Sequence, residues 1–262
     1  QIDRVEDTAS IHWIVEFNEG DSLTVGGQVF TCPKANRFIA TYDPLLFNLV
    51  IDDNFTRYTT AHRTDYIILS GYQALTEARQ GIKLIKKTVP ILQAWRQCSP
   101  KAIIHLEIAS TQDTVIRKNI IRQIGKLVDS VGVNERETID LLEALNQKKL
   151  ASACNADPSA VNLFKAIVKL KEKIGCRRIQ LHMFGLYITV QEQNFPISAQ
   201  ANRRGMVLAA TAAASKADLG HLNNPQDITE SLKYPVSDIG LRQLKELAGY
   251  LEQDSVYKTG LG

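Results

Sequence analysis

An α/β fold on a mostly parallel sheet is what this 262-residue chain predicts, on three observations. Residues 101–140 read as strand, helix, strand. Residues 65–71 read as an apolar strand that runs into a tight Ser-Gly turn. Residues 11–47 carry short β-rich runs broken by Gly20, Gly26-Gly27 and Pro33, the punctuation of a small antiparallel sheet.

The composition permits that fold and excludes several others. With 44% hydrophobic and 23% charged residues the chain can bury one sizeable core, alone or with a small appended domain. A net charge of +3, dispersed over solvated faces, points to neither nucleic acid nor a membrane surface. No apolar run approaches the roughly 20 residues of a spanning helix and no signal-peptide pattern opens the chain, so a cytoplasmic protein is expected. Cys32, Cys98, Cys154 and Cys176 stand far apart and form no Cys-x-x-Cys pair, so they read as reduced and structural.

In order, residues 9–48 form the β-rich region, with strands at Ile11–Phe17, 25–32 and 37–42 and with Gly26-Gly27 as a hairpin turn. Residues 49–262 form the α/β core. Its first strand, 65–69, is expected to be buried and parallel, with helix over 72–95 behind it. Residues 103–108 form the next strand. Val115, Ile116, Ile120, Ile121, Ile124 and Leu127 fall at helical spacing and lead to a strand over 128–133. Strand, crossover helix and strand of this length make a parallel βαβ unit. Helical periodicity returns at 139–150 and at 160–174, where Gly175 closes the helix. Strands follow at 178–184 and 186–190 around Gly185. Residues 204–219 form an Ala-rich helix whose small side chains suit close packing on the sheet, and 228–232 and 241–251 are helical.

Chemistry concentrates in two acidic motifs at the ends of the central strands. In His105-Leu106-Glu107 the alternation of a strand puts His105 and Glu107 on one polar face. In Asn134-Glu135-Arg136-Glu137 the polar residues follow the next strand. Ligands of parallel sheets gather beyond the carboxyl ends of the strands, so one cleft can hold both motifs. Each also has a local explanation: Asn134 with Glu137 is a capping-box pattern, and His-x-Glu is a hydrogen-bonded pair. Two carboxylates at neighbouring strand ends repel unless a cation or water separates them.

His-x-Glu followed by Val-Asp-Ser-Val-Gly-Val-Asn-Glu-Arg-Glu resembles the paired signature of the ADP-dependent sugar kinases, glucokinases and phosphofructokinases of ribokinase-like fold. The resemblance continues, in the family's order, in the residues 11–17, 36–39, 70–73 and 178–182 and in the closing Gly260-Leu261-Gly262. It implies a mostly parallel central sheet flanked by helices with a small β lid. It also implies transfer of the β-phosphoryl group of ADP to a hydroxyl of glucose or fructose 6-phosphate, with Mg²⁺ as the metal.

The same resemblance assigns residues to roles. Glu107 and Glu137 are expected to face the metal, directly or through water, and Asn134 the nucleotide phosphates or their water shell. His182 and Met183 stand at the family's nucleotide-binding His-Thr pair. Met183 replaces the Thr, and a buried, satisfied His182 is the alternative. His12 matches a sugar-contacting lid histidine, Arg37 an arginine that reaches the transferred phosphate, and Gln73 lies at a strand end inside the expected cleft or simply starts a helix. Gly260 and Gly262 match an anion hole whose general-base Asp is expected just after the last residue, and the family's opening strand is expected before Gln1. Both termini therefore read as incomplete. An ATP-dependent kinase of the same fold and a non-catalytic nucleotide- or sugar-binding homologue are the alternatives. A Rossmann-type module is disfavoured because no Gly-x-Gly-x-x-Gly follows a strand.

Overall fold

A computed structural model describes residues 11–33, 36–42, 49 and 51–253. The chain divides into two compact units, residues 1–50 and 51–262.

The first unit is antiparallel. Strand β1 (Ile11–Phe17) pairs with β4 (Asn36–Tyr42), and β2 (Ser22–Val25) with β3 (Gln28–Thr31). Gly26 and Gly27 join β2 to β3 with φ of 59° and 81°. Positive φ at both turn residues matches the twist of the flanking strands, and glycine adopts it without strain.

In the second unit helix α1 (Asp53–Ala61) precedes a sheet whose five strands, among the described residues, lie in the order β5 (Tyr66–Leu69), β6 (Ile103–Glu107), β7 (Ser130–Asn134), β8 (Arg178–Met183) and β9 (Leu186–Gln191). The first four are parallel, and β9 returns antiparallel to β8 across Gly185. Ile104, Leu106, Val131, Val133, Ile179 and Leu181 are fully buried on one face. Alternation sends His105, Glu107, Ser130, Gly132, Arg178, Gln180 and His182 to the other. The crossover helix α3 (Thr114–Gln123) joins β6 to β7, as expected for a parallel unit. Helices α4 (Glu135–Ala144) and α6 (Ala160–Ile174) pack against β7–β9, with α8 (Asp238–Leu251) against α6.

Several elements depart from the sequence expectation. Strand β5 is parallel but lies at the sheet edge among the described residues, with Tyr66 and Ile68 exposed rather than buried. The helix expected from Tyr72 begins only at Gly81, as α2 (Gly81–Cys98), after a 3₁₀ turn and a left-handed Gln80. The expected continuous helix to Leu150 breaks at Asn146, whose φ is 61°, so that α5 (Lys148–Ala156) is separate. Asparagine tolerates that conformation better than most residues. The Ala-rich helix, α7 (Ala199–Leu219), buries only Ser215 and packs chiefly on the 3₁₀ segment Pro225–Lys233, meeting the sheet through Asn202 at Arg178 and Met206 at Thr189. That segment covers the expected helix at 228–232.

All four cysteines are free thiols, and burial raises Cys176 to about 11. Among the described residues no helix is long and apolar enough to cross a membrane.

Candidate active site

The carboxyl ends of β6, β7 and β8 bring together the two acidic motifs and one further histidine. Register does this: Glu107 lies opposite Gly132, and Asn134 opposite His182. Gly132 has no side chain, so the Glu107 carboxyl lies across it. A Cβ there would overlap Glu107 Oε2 and come within 3.0 Å of His105 Nε2.

Glu107 is held by two imidazoles. His105 Nε2 lies 3.0 Å from Oε2, and His182 Nε2 lies 3.1 Å from Oε1. Burial opposes ionisation of this carboxyl, but the hydrogen bonds from His105 and His182 and their charges outweigh it and hold the pKa at about 2. The effect on His182 is reciprocal. Its pKa is raised first by the hydrogen bond to Glu107, against burial, and further by the charges of Glu107, Glu137 and Glu135.

Glu137 is bound differently. Its Oε2 accepts from the Asn134 N–H at 2.9 Å, while Asn134 Oδ1 accepts from the Glu137 N–H at 2.8 Å. Asn134 thus caps α4 in a full capping box. The other oxygen, Oε1, accepts from the Ser110 hydroxyl at 3.1 Å. Burial raises the Glu137 pKa, hydrogen bonds from Asn134 and Ser110 partly offset this, and the charge of Glu107 raises it again. The register that sets Glu107 opposite Gly132, two residues before Asn134, puts the two carboxylates in one electrostatic neighbourhood. Oxygen donors of this kind suit a hard divalent cation that keeps part of its water shell. Among the described residues, however, no group of three or more His, Cys, Asp or Glu side chains is arranged to hold a metal ion.

The loops are anchored from behind. Arg117, on α3, donates from Nε and Nη2 to the Thr111 carbonyl at 2.9 and 2.8 Å, and its Nη2 lies 3.5 Å from Asp140 Oδ2 on α4. This ties the loop carrying Ser110 to the helix carrying Glu137. Glu135 Oε1 accepts from the Phe184 N–H at 2.8 Å and ties the β8–β9 turn to the same helix start.

Of the residues singled out from the sequence, Glu107, Asn134, Glu137 and His182 are brought to one place. Met183 is not on their face: it is buried, 8% exposed, where alternation turns it to the apolar side. Gln73 is exposed in the turn after β5. His12 and Arg37 belong to the backbone of β1 and β4, opposite Thr41 and Glu16, and their side chains lie outside the described residues. Gly260 and Gly262 lie outside them altogether. Ser110, Ser130, Arg178 and Glu135 were missed. Glu135 was visible only as a member of its motif, and for Ser130 and Arg178 the one available signal is strand alternation, which names no partner.

The ADP-specific phosphofructokinase of Methanosarcina acetivorans is 26% identical over 250 residues, which covers 92% of this chain and 51% of that protein. The ADP-dependent glucose/glucosamine kinase of Pyrococcus abyssi is 33% identical over 239 residues, covering 88% and 49%. A solved ADP-dependent kinase in complex with fructose-6-phosphate and ADPbetaS has the same fold, with a TM-score of 0.82 at 28% identity over 95% of this chain and 55% of that one. The chain thus spans about half the length of the curated relatives it matches. The conserved region of ADP-specific phosphofructokinase/glucokinase matches residues 1–251, and the chain belongs to that family.

Proposed function

We propose that this chain carries the nucleotide- and metal-facing part of a cytoplasmic ADP-dependent sugar kinase, which transfers the β-phosphoryl group of ADP to a sugar hydroxyl and releases AMP and a sugar phosphate. The observation that supports this best is the register that sets Glu107, at the end of β6, opposite Gly132 of β7, two residues before Asn134, to which Glu137 in the first turn of α4 is bonded. Two such carboxylates, with Asn134 between them in sequence, suit a hydrated Mg²⁺ and the phosphates of a nucleotide. When bound, Mg²⁺ supplies neutralisation of the charge on the phosphate oxygens.

The chain's own side chains have distinct tasks in this reading. Glu107, kept ionised by two imidazoles, offers a fixed negative charge. Glu137 orients water through an oxygen already aligned by Ser110. His182, with its raised pKa, presents positive character towards phosphate oxygens. Asn134 sets the position of the α4 start, where backbone N–H groups favour anions. Arg37, Gly260 and Gly262 are assigned to the transferred phosphoryl group, and His12 and Gln73 to the sugar. Relatives of both acceptor types match, which supports glucose or fructose 6-phosphate as the acceptor.

The test is turnover by the full-length protein with ADP or ATP and each sugar, followed by separate measurement of AMP and ADP. AMP formed from ADP, and lost in Glu107→Gln, is the expected result. Turnover with ATP alone overturns the proposal.

A further inference from the structure

The polar face of the sheet carries a hydrogen-bonded chain that ends at Glu107 and whose far members, Ser130 and Arg178, have no part in the proposed reaction. Arg178 Nε donates to Ser130 Oγ at 2.8 Å. Ser130 Oγ lies 2.8 Å from His105 Nδ1, and His105 Nε2 lies 3.0 Å from Glu107 Oε2. The strand register builds it, with His105 opposite Ser130 and Ser130 opposite Arg178.

The chain has a direction. A guanidinium has donors and no acceptor, so Ser130 Oγ must accept from Arg178. Ser130 is fully buried, and its own hydrogen finds an acceptor in His105 Nδ1. Nδ1 therefore keeps its lone pair, and the ring hydrogen stands on Nε2, facing Glu107. In the reverse direction Ser130 Oγ would receive two donors, and its own hydrogen would be buried with no acceptor in its hydrogen-bonded set, an arrangement native structures avoid. Arg178 is itself immobilised. It is buried, its Nη1 lies 3.2 Å from Asn202 Oδ1, and its guanidinium stacks 4.9 Å from the centre of the Phe195 ring.

We propose that Ser130 and Arg178 are positioning residues that fix the His105 tautomer and, through its Nε2–H, aim the Glu107 carboxylate across Gly132. The functional side of this rests on the reading of Glu107 as the metal-facing group. Outer partners that orient a ligand in this way typically change metal affinity by about 10–100-fold when removed.

Two measurements on the full-length protein test it. In metal-free, ¹⁵N-histidine-labelled protein at pH 8, long-range ¹H–¹⁵N correlation spectra give the tautomer of His105, assigned with His105→Gln. A single Nε2–H form in the wild type and a mixture in Ser130→Ala are expected, whereas an Nδ1–H form in the wild type overturns the proposal. The second measurement is the affinity of the ADP-bound protein for Mn²⁺, followed by electron paramagnetic resonance. Ser130→Ala is expected to weaken it about tenfold and to add nothing in the His105→Gln background. An equal loss in both backgrounds means that Ser130 acts by packing alone and overturns the proposal. Arg178→Lys, which keeps the charge but removes the Nε donor, carries the same two tests should Ser130→Ala not fold. A Ser130-dependent tautomer together with unchanged Mn²⁺ affinity in Glu107→Gln overturns the metal reading and supports the Ser130–His105 chain.

Discussion

Asn134 and Glu137 bind each other at both ends, backbone to side chain in each direction, at 2.8 and 2.9 Å. The cap and the candidate site are therefore one object, and the two explanations of this motif do not compete. They separate by substitution. Glutamine retains the reciprocal hydrogen bonds of a capping box but not the charge. Glu137→Gln is expected to leave thermal stability nearly unchanged while lowering kinase turnover at least tenfold. Asn134→Ala, which removes the cap acceptor, is expected to cost about 1 kcal/mol. Thermal melts and turnover of both variants check this, and equal destabilisation by the two contradicts it.

Gly132 supplies the space in which the Glu107 carboxyl lies. A methyl group there meets the far end of a flexible side chain and not backbone, so the fold can yield by turning Glu107 away. Gly132→Ala is accordingly expected to cost under about 1 kcal/mol in stability, within the range of ordinary substitutions, yet to weaken Mn²⁺ binding to the ADP-bound protein as strongly as Glu107→Gln. Unchanged affinity would show that Glu107 is not needed in the position the structure gives it.

The sheet and the capping box were legible because they are written locally. The apolar runs ending in Leu69, Glu107 and Asn134 have strand length, and the 115–127 spacing is helical. The cleft was legible only as a direction. What brings His182 beside Glu107, and Ser130 beneath His105, is the register of β6, β7 and β8. Register is a property of three segments far apart in sequence and leaves no mark in any one of them. The late start of α2 and the break at Asn146 were missed for the opposite reason. Each turns on one residue in a left-handed conformation, Gln80 and Asn146, within a run whose helical periodicity continues past it. The exposure of Tyr66 and Ile68 likewise depends on what lies beside β5, which its own apolar run does not record.

The His182–Glu107 pair predicts a pH window for stability. The raised pKa of His182 contributes stability that is present below its ordinary 6.5 and is lost as pH rises through the folded value. The lowered pKa of Glu107 contributes stability present above its ordinary 4.5 and lost as pH falls towards about 2. Both operate between 4.5 and 6.5. The side chains are 41% and 34% exposed, so solvent screens the pair and about 1 kcal/mol is an upper expectation. In metal-free protein, His182→Gln is expected to lower Tm by at most about 2–4 °C inside that window and by less at pH 9. A difference that does not vary with pH rules the pairing out.

Arg117 and Asp140 form a buried pair, their side chains 10% and 8% exposed, behind the loop that carries Ser110. Arg136 also reaches Asp140, at 2.8 Å, but is itself 64% exposed. Arg117 is thus the partner that shares Asp140's buried environment, and it alone also binds the Thr111 carbonyl. Arg117→Met leaves that carbonyl without its two donors and Asp140 without its buried cation. Removing one member of a buried pair typically costs about 3–5 kcal/mol, and retention of Arg136 puts the expected loss near the low end, about 3 kcal/mol. The loop should loosen with it. Amide exchange at residues 109–113 is expected to accelerate in Arg117→Met more than exchange in α6, and turnover to fall because Ser110 no longer aligns Glu137. Uniform acceleration over the whole second unit would instead mean that Arg117 supports the global fold and does not hold this loop in particular.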